Sequence, residues 1–520
     1  MVQKKKIEFG DFQTPIELTN KISDFIHAIF PNPDVIIEPT CGLGSFVESC
    51  TSLWGGENPT YYGFDVNSNY VEKCKASLGN YRNCHFEVAD FFQKDWKYFF
   101  QPFKKTRNLV IGNPPWVTNA AIGVLNGNNL PQKTNFQGLG GFAAKTGKAN
   151  FDIAEWILIK LLESLQNTSS CLAMLCKTST ARKVLKHAWT NQWRISNSSL
   201  HIIDAKMHFD VAVDACLLIT FVSKSEKTTD AAIYQNLSYD NKIGNFGLLG
   251  KELVANIDNY KKYNYVEGLS YYIWRSGVKH DSSQVMELIK KNGKFVNGFD
   301  EVVDIEEDYI FPLLKSSDLG NRRLTPRKFV IVTQHNVGDD TTAIKHDGPK
   351  TWAYLEKYSD ALDNRKSIIY TKRHRFSVFG VGNYSFTPWK VAVSGLYKEI
   401  SFSAIGNIDG KPIIVDDTCY FIPCESEEEA FFIAGLLNSE ACINFIKSLV
   451  FFDSKRPVTI DILKRVDIKK LANSLNLTNK VLQYLPYAQQ FMSPQQLLVF
   501  EKETEYRTSG STRRRGAALR

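Results

Sequence analysis

An α/β fold with a mostly parallel sheet is predicted for the first part of this 520-residue chain, with a second, mixed α/β domain behind it. Three observations predict it. Short apolar runs alternate with helical stretches from Pro15 to Phe221. The runs are short and end at Gly, Asp or Asn, as strands do. Polar and glycine residues fall just beyond the carboxyl ends of successive runs, the edge at which open α/β sheets bind ligands.

The predicted strands are Val35–Ile37, Tyr61–Val66, His85–Ala89, Leu109–Ile111, Ser170–Cys176 and Ala215–Phe221. Helices are predicted over Pro15–Ile29, Asn67–Leu78 and Phe151–Leu165. These elements define a first domain over residues 1–222. From Thr118 to Ala149 periodicity disappears into a Gly- and Asn-rich segment with Lys133, Lys145 and Lys148, predicted to be a mobile functional loop over 118–149. The run Ser223–Asp230 (SKSEKTTD) suggests a linker, placed at 223–240. The second domain spans 241–506, with clear helices only at Glu427–Asn438 and Ser439–Val450, and a Gly/Ser/Arg-rich tail over 507–520 is expected to be disordered.

Hydrophobic residues make up 43% and charged residues 23%, which is ordinary for a globular protein with a sizeable core. The net charge of +8 permits a nucleic-acid partner without demanding one. No apolar run approaches the roughly 18 residues of a membrane span, and Glu8 and Asp11 stand where a signal peptide would be apolar. A cytoplasmic location is expected, with no membrane partner. The ten cysteines have irregular spacings and no CxxC pair. Buried thiols in a reducing compartment account for them, and no metal site is expected.

The segment Glu38-Pro39-Thr40-Cys41-Gly42-Leu43-Gly44 follows the first strand and opens a helix. Its glycines permit a tight turn and close approach of a ligand. A carboxylate at Glu38 would repel a pyrophosphate but attract a ligand that carries an ammonium and a sulfonium. Asp65, at the end of the second strand, can accept both hydroxyls of a ribose. Asp90, at the end of the third, can accept the exocyclic amine of an adenine ring, with Phe91-Phe92 alongside. Taken singly, each aspartate also fits a helix N-cap. The ordered set on consecutive strand ends is far more specific.

Asn113-Pro114-Pro115-Trp116 follows the fourth strand. Two prolines stiffen this turn, since each fixes its own φ and restricts the residue before it. The residue types suit one problem. An exocyclic adenine amine is a poor nucleophile because its lone pair is delocalised into the ring. The Asn113 side-chain oxygen and the Pro114 carbonyl can each accept one amine hydrogen and draw the nitrogen toward tetrahedral geometry. The Trp116 indole can stack on the base. With an activated methyl donor, positioning and electrostatics suffice, without metal or covalent nucleophile.

With these motifs the chain resembles the TaqI-like, gamma-class adenine-specific DNA methyltransferases of type II restriction–modification systems. The likeness starts at Gln13-Thr14-Pro15, runs through Glu38–Gly44, Asp65, Asp90 and Asn113–Trp116, and includes Gly147–Phe151 and Phe209 ahead of Val213–Phe221. It covers roughly the first 220 residues well and is patchier beyond, at Phe311–Leu319 and Leu437–Glu440. The resemblance implies a Rossmann-like domain that binds S-adenosylmethionine, with S-adenosylhomocysteine as product. It implies cofactor contacts from Thr14, Glu38, Thr40, Gly42, Gly44, Asp65, Val66, Asp90, Phe91, Asn113 and Pro115. It implies catalysis by Asn113, Pro114, Pro115 and Trp116, with Phe209 stacking on a flipped base. The tetrapeptide ends in Trp where Tyr or Phe is commoner, and Glu-Pro-Thr-Cys is a variant opening. The family's aromatic beside the cofactor adenine has Trp156 as its candidate here.

The expected substrate is double-stranded DNA, read by a C-terminal target-recognition domain. The expected enzyme is a monomer whose cognate restriction endonuclease is a functional partner. Four basic clusters interleaved with aromatics support this, with Arg275, Lys279, Arg322, Arg323, Lys372, Arg373 and Arg375 as candidate DNA contacts. RNA or protein-glutamine methylation is the alternative, because both present a planar amine or amide to the same tetrapeptide. The large basic C-terminal half argues for DNA. No nuclease half is expected.

Overall fold

A computed structural model of the chain describes residues 13–55, 58–79, 83–117, 152–270, 272–371 and 373–485. The expected loop at 118–149, the Gly147–Phe151 segment, Lys372 and the tail at 507–520 lie outside the described residues. The chain divides into two compact units, Met1–Asp258 and Asn259–Arg520.

The first unit is built on a ten-stranded sheet. Its strands are β1 (Val35–Glu38), β2 (Thr60–Asp65), β3 (Cys84–Val88), β4 (Arg107–Gly112), β5 (Ser169–Lys177), β6 (Ile195–Ile203), β7 (Ala215–Val222), β8 (Asp230–Tyr234), β9 (Lys242–Leu249) and β10 (Glu252–Val254). They lie in the order β10-β9-β8-β6-β7-β5-β4-β1-β2-β3. From β3 to β5 every pairing is parallel. β7 enters antiparallel between β5 and β6. Because β1 lies between β2 and β4, chain direction across the sheet reverses there. In such folds the crevice at this switch point, outside the carboxyl ends, is the ligand site.

Burial explains why these strands form. All four residues of β1 are buried, as are Asn108–Gly112 of β4 and Ser170–Cys176 of β5. Parallel strands covered on both faces read as continuous apolar runs. Helices α1 (Ile16–Ile29), α2 (Ser45–Trp54), α3 (Ser68–Leu78), α4 (Trp96–Phe99), α5 (Ile153–Ser164), α6 (Thr178–Thr190) and α7 (Ala205–Phe209) complete the unit. On α1, Leu18, Ile22 and Ile26 recur at helical spacing and share a core with Phe46, Val47 and Cys50 of α2 and with Ile36, Leu109 and Ala173 of the sheet.

The first domain extends beyond the boundary at 222 that the sequence suggested. Within the expected linker at 223–240, Asp230–Tyr234 forms β8 and pairs in parallel with β6. β9 and β10 then add antiparallel edges. The polar SKSEKTTD run is the turn between β7 and β8. Beyond it, Ala231 is buried, and Phe246 of β9 packs against Trp189 of α6 at 5.7 Å between ring centroids.

The second unit is mixed α/β. One four-stranded antiparallel sheet runs Arg275–Ser276, Cys419–Cys424, Trp389–Ser394, Phe402–Gly406. A six-stranded sheet is centred on Glu287–Lys291 and Lys328–Ile331. The two helices expected from the sequence appear as Glu427–Leu437 and Glu440–Leu449. Among the described residues, no single helix is long and apolar enough to cross a membrane.

Candidate active site

Glu38, Asp65, Asp90 and Asn113 gather along one edge, because each lies at or just past the end of a strand and β4, β1, β2 and β3 are neighbours in that order. Glu38 closes β1 and is buried. Burial raises its carboxyl well above the ordinary range, opposed by a bond from the Val47 N–H to Oε2 at 3.3 Å. The nearby Cys74 and Asp65 raise it further. Burial thus disfavours the charged form, and a cation beside it would offset that penalty.

The loop after β1 has the conformation its glycines allow. Gly42 has φ +52 and Gly44 φ +82, the left-handed region that disfavours side chains. A Cβ on Gly42 would meet the Gln13 amide oxygen at 2.6 Å, and one on Gly44 would meet the Cys74 sulfur at 2.9 Å. Gly44 caps α2, so the loop delivers backbone N–H groups at a helix start. The Leu43 N–H donates to Gln13 Oε1 at 3.0 Å, and the Gly42 N–H to Asp65 Oδ2 at 2.8 Å. The other Asp65 oxygen accepts the Asn67 N–H at 2.8 Å. Asp65 thus ties the end of β2 to the glycine loop. Beside it Val66 is half exposed, an apolar side chain open to a ligand.

Asp90 follows β3. Its Oδ1 accepts the Phe92 N–H at 2.9 Å and its Oδ2 the Gln93 amide at 2.9 Å, so it does organise its own turn. That turn presents aromatics. Phe91 is buried, whereas Phe92 and Trp156 of α5 are half-buried and pack with centroids 4.9 Å apart. Trp156, the weaker candidate from sequence, therefore lies beside the Asp90 turn.

Asn113 follows β4, where its Nδ2 donates to the Thr14 hydroxyl at 3.2 Å. Among the described residues its Oδ1 is buried without a hydrogen-bond partner, as are Thr40 Oγ1 and the Trp116 indole nitrogen. Orphaned polar atoms are costly inside a protein, and these three lie on the segments that follow the neighbouring strands β1 and β4. The Trp116 ring meets Phe209, the last residue of α7, at 5.2 Å. The structure thus brings together Thr14, Asn113, Trp116 and Phe209, from three separate stretches of chain.

Two participants, Lys177 and Asp152, were not legible, whereas Gln13 opens the Gln13-Thr14-Pro15 segment quoted from the sequence. Gln13 closes over the glycine loop. Lys177, at the end of β5, donates to the Trp116 carbonyl at 2.9 Å and to Asp152 at 2.6 Å. Lys177 did carry a signal, since it is a polar residue at the carboxyl end of a buried strand.

In the second unit, the basic candidates separate by partner. Lys279 pairs with Asp281 and Asp417, Arg322 with Glu399, Arg323 with Asp318, and Arg375 with Asp363. The Arg275 guanidinium lies over the Tyr384 ring at 4.5 Å, with its Nε buried and without a hydrogen-bond partner among the described residues. Arg373 lies over Phe379 at 6.0 Å.

No family model matches the chain. The type II methyltransferase M.NspV of Nostoc sp. (strain ATCC 29411 / PCC 7524) is 44% identical over 475 residues, covering 91% of this chain and 98% of that protein. The type II methyltransferase M.CvrRI of Paramecium bursaria Chlorella virus XZ-6E is 28% identical over 120 residues, 22% of this chain and 27% of its own length. Among solved structures, the type IIL restriction–modification enzyme MmeI in complex with DNA matches with a TM-score of 0.53 at 13% identity, covering 94% of this chain and 71% of that one. At that identity the likeness is one of fold.

Proposed function

The chain belongs to the type II methyltransferase family, and from that premise we propose that it transfers a methyl group from S-adenosylmethionine to N6 of an adenine flipped out of a specific double-stranded DNA sequence, protecting that sequence from a cognate restriction endonuclease. The observation that carries this reading is the Asn113 side chain. Its amide donates to Thr14, and its oxygen is buried and lacks a partner among the described residues. A buried acceptor of that kind awaits a donor, and an exocyclic amine hydrogen is one.

The residues present fit the cofactor. Glu38 offers a buried carboxyl to an ammonium, Gly42 and Gly44 let the backbone approach, and Thr40 Oγ1 is a buried hydroxyl without a partner among the described residues. Val66, Phe92 and Trp156 offer apolar surface for a purine. Bound there, S-adenosylmethionine supplies an electrophilic methyl group on a sulfonium. Asn113 Oδ1 and the Pro114 carbonyl hold the two amine hydrogens and turn the nitrogen lone pair away from the ring. Trp116 and Phe209 clamp the base, which costs a few kcal/mol to unstack from duplex DNA. No strong base is required, because the amine proton becomes acidic only as the new bond forms.

The DNA reading is supported by Arg275 and Arg373 over aromatic rings, and by the DNA named with MmeI. Labelled S-adenosylmethionine and unmethylated plasmid DNA, followed by digestion to nucleosides, tests it. Label is expected in N6-methyladenine. Label in another base, or only in RNA or protein glutamine, overturns the reading. Asn113→Ala is expected to lose about 100- to 1000-fold in kcat while still binding cofactor. Wild-type turnover in that variant would remove Asn113 from the mechanism.

A further inference from the structure

We propose that Lys177 is a positioning residue for methyl transfer, holding the carbonyl of Trp116 and so fixing the ring that clamps the base. The inference rests on the reading of Trp116 as the base-stacking residue.

The argument starts from the prolines. The parallel ladder between β4 and β5 ends with Gly112 opposite Met174. Pro114 and Pro115 have no N–H, so the chain beyond cannot continue as a regular strand. Lys177, farther along β5, supplies a donor where the ladder has stopped. Its Nζ reaches the Trp116 carbonyl at 2.9 Å. The next carbonyl, that of Val117, accepts the Ile153 N–H at 2.9 Å. Both final carbonyls of the catalytic turn are thus fixed, one by a side chain and one by the first turn of α5.

Asp152 joins the two supports. Its Oδ1 accepts the Ala154 N–H at 3.1 Å and caps α5, while its Oδ2 takes the Lys177 ammonium at 2.6 Å. The Asp152 side chain is 8% exposed and that of Lys177 23%, so the pair is shielded from solvent and restrained on three sides. A salt bridge that served stability alone would not need the Trp116 carbonyl. Among the described residues, Lys177 is the donor to that carbonyl, and the ring of the same residue meets Phe209. Displacing a reacting group by about 1 Å can cost about 100-fold in rate.

The test uses the full chain and three variants. Transfer of tritium from S-adenosylmethionine to plasmid DNA gives the rate whichever base accepts it. Nucleoside analysis of the wild-type product tests the adenine reading separately, so the two can fail independently. Lys177→Met is expected to lower kcat about 10- to 100-fold, with cofactor KM and binding stoichiometry unchanged. Removing one partner leaves the Asp152 charge buried and unpaired, which destabilises the fold in its own right. The double variant Lys177→Met, Asp152→Asn removes that charge and keeps a capping oxygen. It is expected to recover the melting temperature without recovering kcat. Lys177→Arg keeps a donor and is expected to recover part of the rate. Wild-type kcat in the double variant, or a loss of rate in proportion to the loss of cofactor-binding protein, overturns the proposal.

Discussion

The Trp116 and Phe209 rings meet edge to face, with centroids 5.2 Å apart and planes inclined at 67°. They come from distant stretches, Trp116 after β4 and Phe209 at the end of α7, where Asp210 turns the chain at φ 56. Both are partly buried against the sheet core. Edge-to-face packing is a preferred aromatic geometry and leaves ring faces for a third ring.

The pair predicts unequal effects of two substitutions. Trp116→Phe keeps a stacking ring and is expected to retain most activity. Phe209→Ala removes one wall of the clamp. Stacking of a base on an aromatic is worth about 1–3 kcal/mol, so kcat/KM for DNA is expected to fall about 10- to 100-fold. Cofactor affinity, measured by calorimetry, should be unchanged. A Phe209→Ala enzyme with wild-type kcat/KM would separate Phe209 from the reaction.

The parallel half of the sheet was legible because its strands are buried on both faces. Val35–Ile37 of β1, Leu109–Ile111 of β4 and Cys171–Cys176 of β5 read as unbroken apolar runs. β6 was not legible, because its interior is polar. Ser196, Ser198, Ser199 and His201 are all buried, and they bond to Glu226, Thr220, one another and the Asn236 carbonyl. Such a strand satisfies its polar groups only in the folded register, which no periodicity reveals. The site divides in the same way. Glu38, Asp65, Asp90 and Asn113 follow from where strands end. Lys177 acts through a single long side chain on a backbone group of another element, so its role depends on register.

Ion pairing sorts the arginines. Arg375 is held by Asp363 through Nε at 3.0 Å and Nη2 at 2.7 Å. Arg275 has a tyrosine face beneath it and a buried Nε without a partner among the described residues. DNA binding is therefore expected to weaken in Arg275→Ala, and the slope of log affinity against log salt to flatten by about 0.9 if a phosphate contact is lost. Arg375→Ala should leave that slope unchanged and cost at most about 1 kcal/mol of stability, since the pair is half exposed. Titrations of a plasmid-derived duplex across a salt series decide this. The reverse pattern would place the DNA surface elsewhere.

Lys390 offers a prediction about stability. It lies in the strand Trp389–Ser394, only 2% exposed, and its ammonium donates to the Thr387 carbonyl at 2.8 Å. Burial lowers its pKa to about 7, with Cys424 opposing the shift. An unfolded lysine titrates near about 10.4. Between these values the unfolded chain holds a proton that the folded chain has released. Stability therefore rises with pH across this window, by up to about 1.4 kcal/mol per pH unit. Below pH 7 both states are protonated and the burial penalty is fully present. Above about 10.4 neither is protonated, and the penalty is gone. Lys390→Met removes this titration. The difference in unfolding free energy between wild type and variant, followed by urea denaturation from about pH 6 to pH 10, should move in favour of wild type as pH rises. A difference that stays flat through this range would mean that Lys390 keeps its proton in the folded protein.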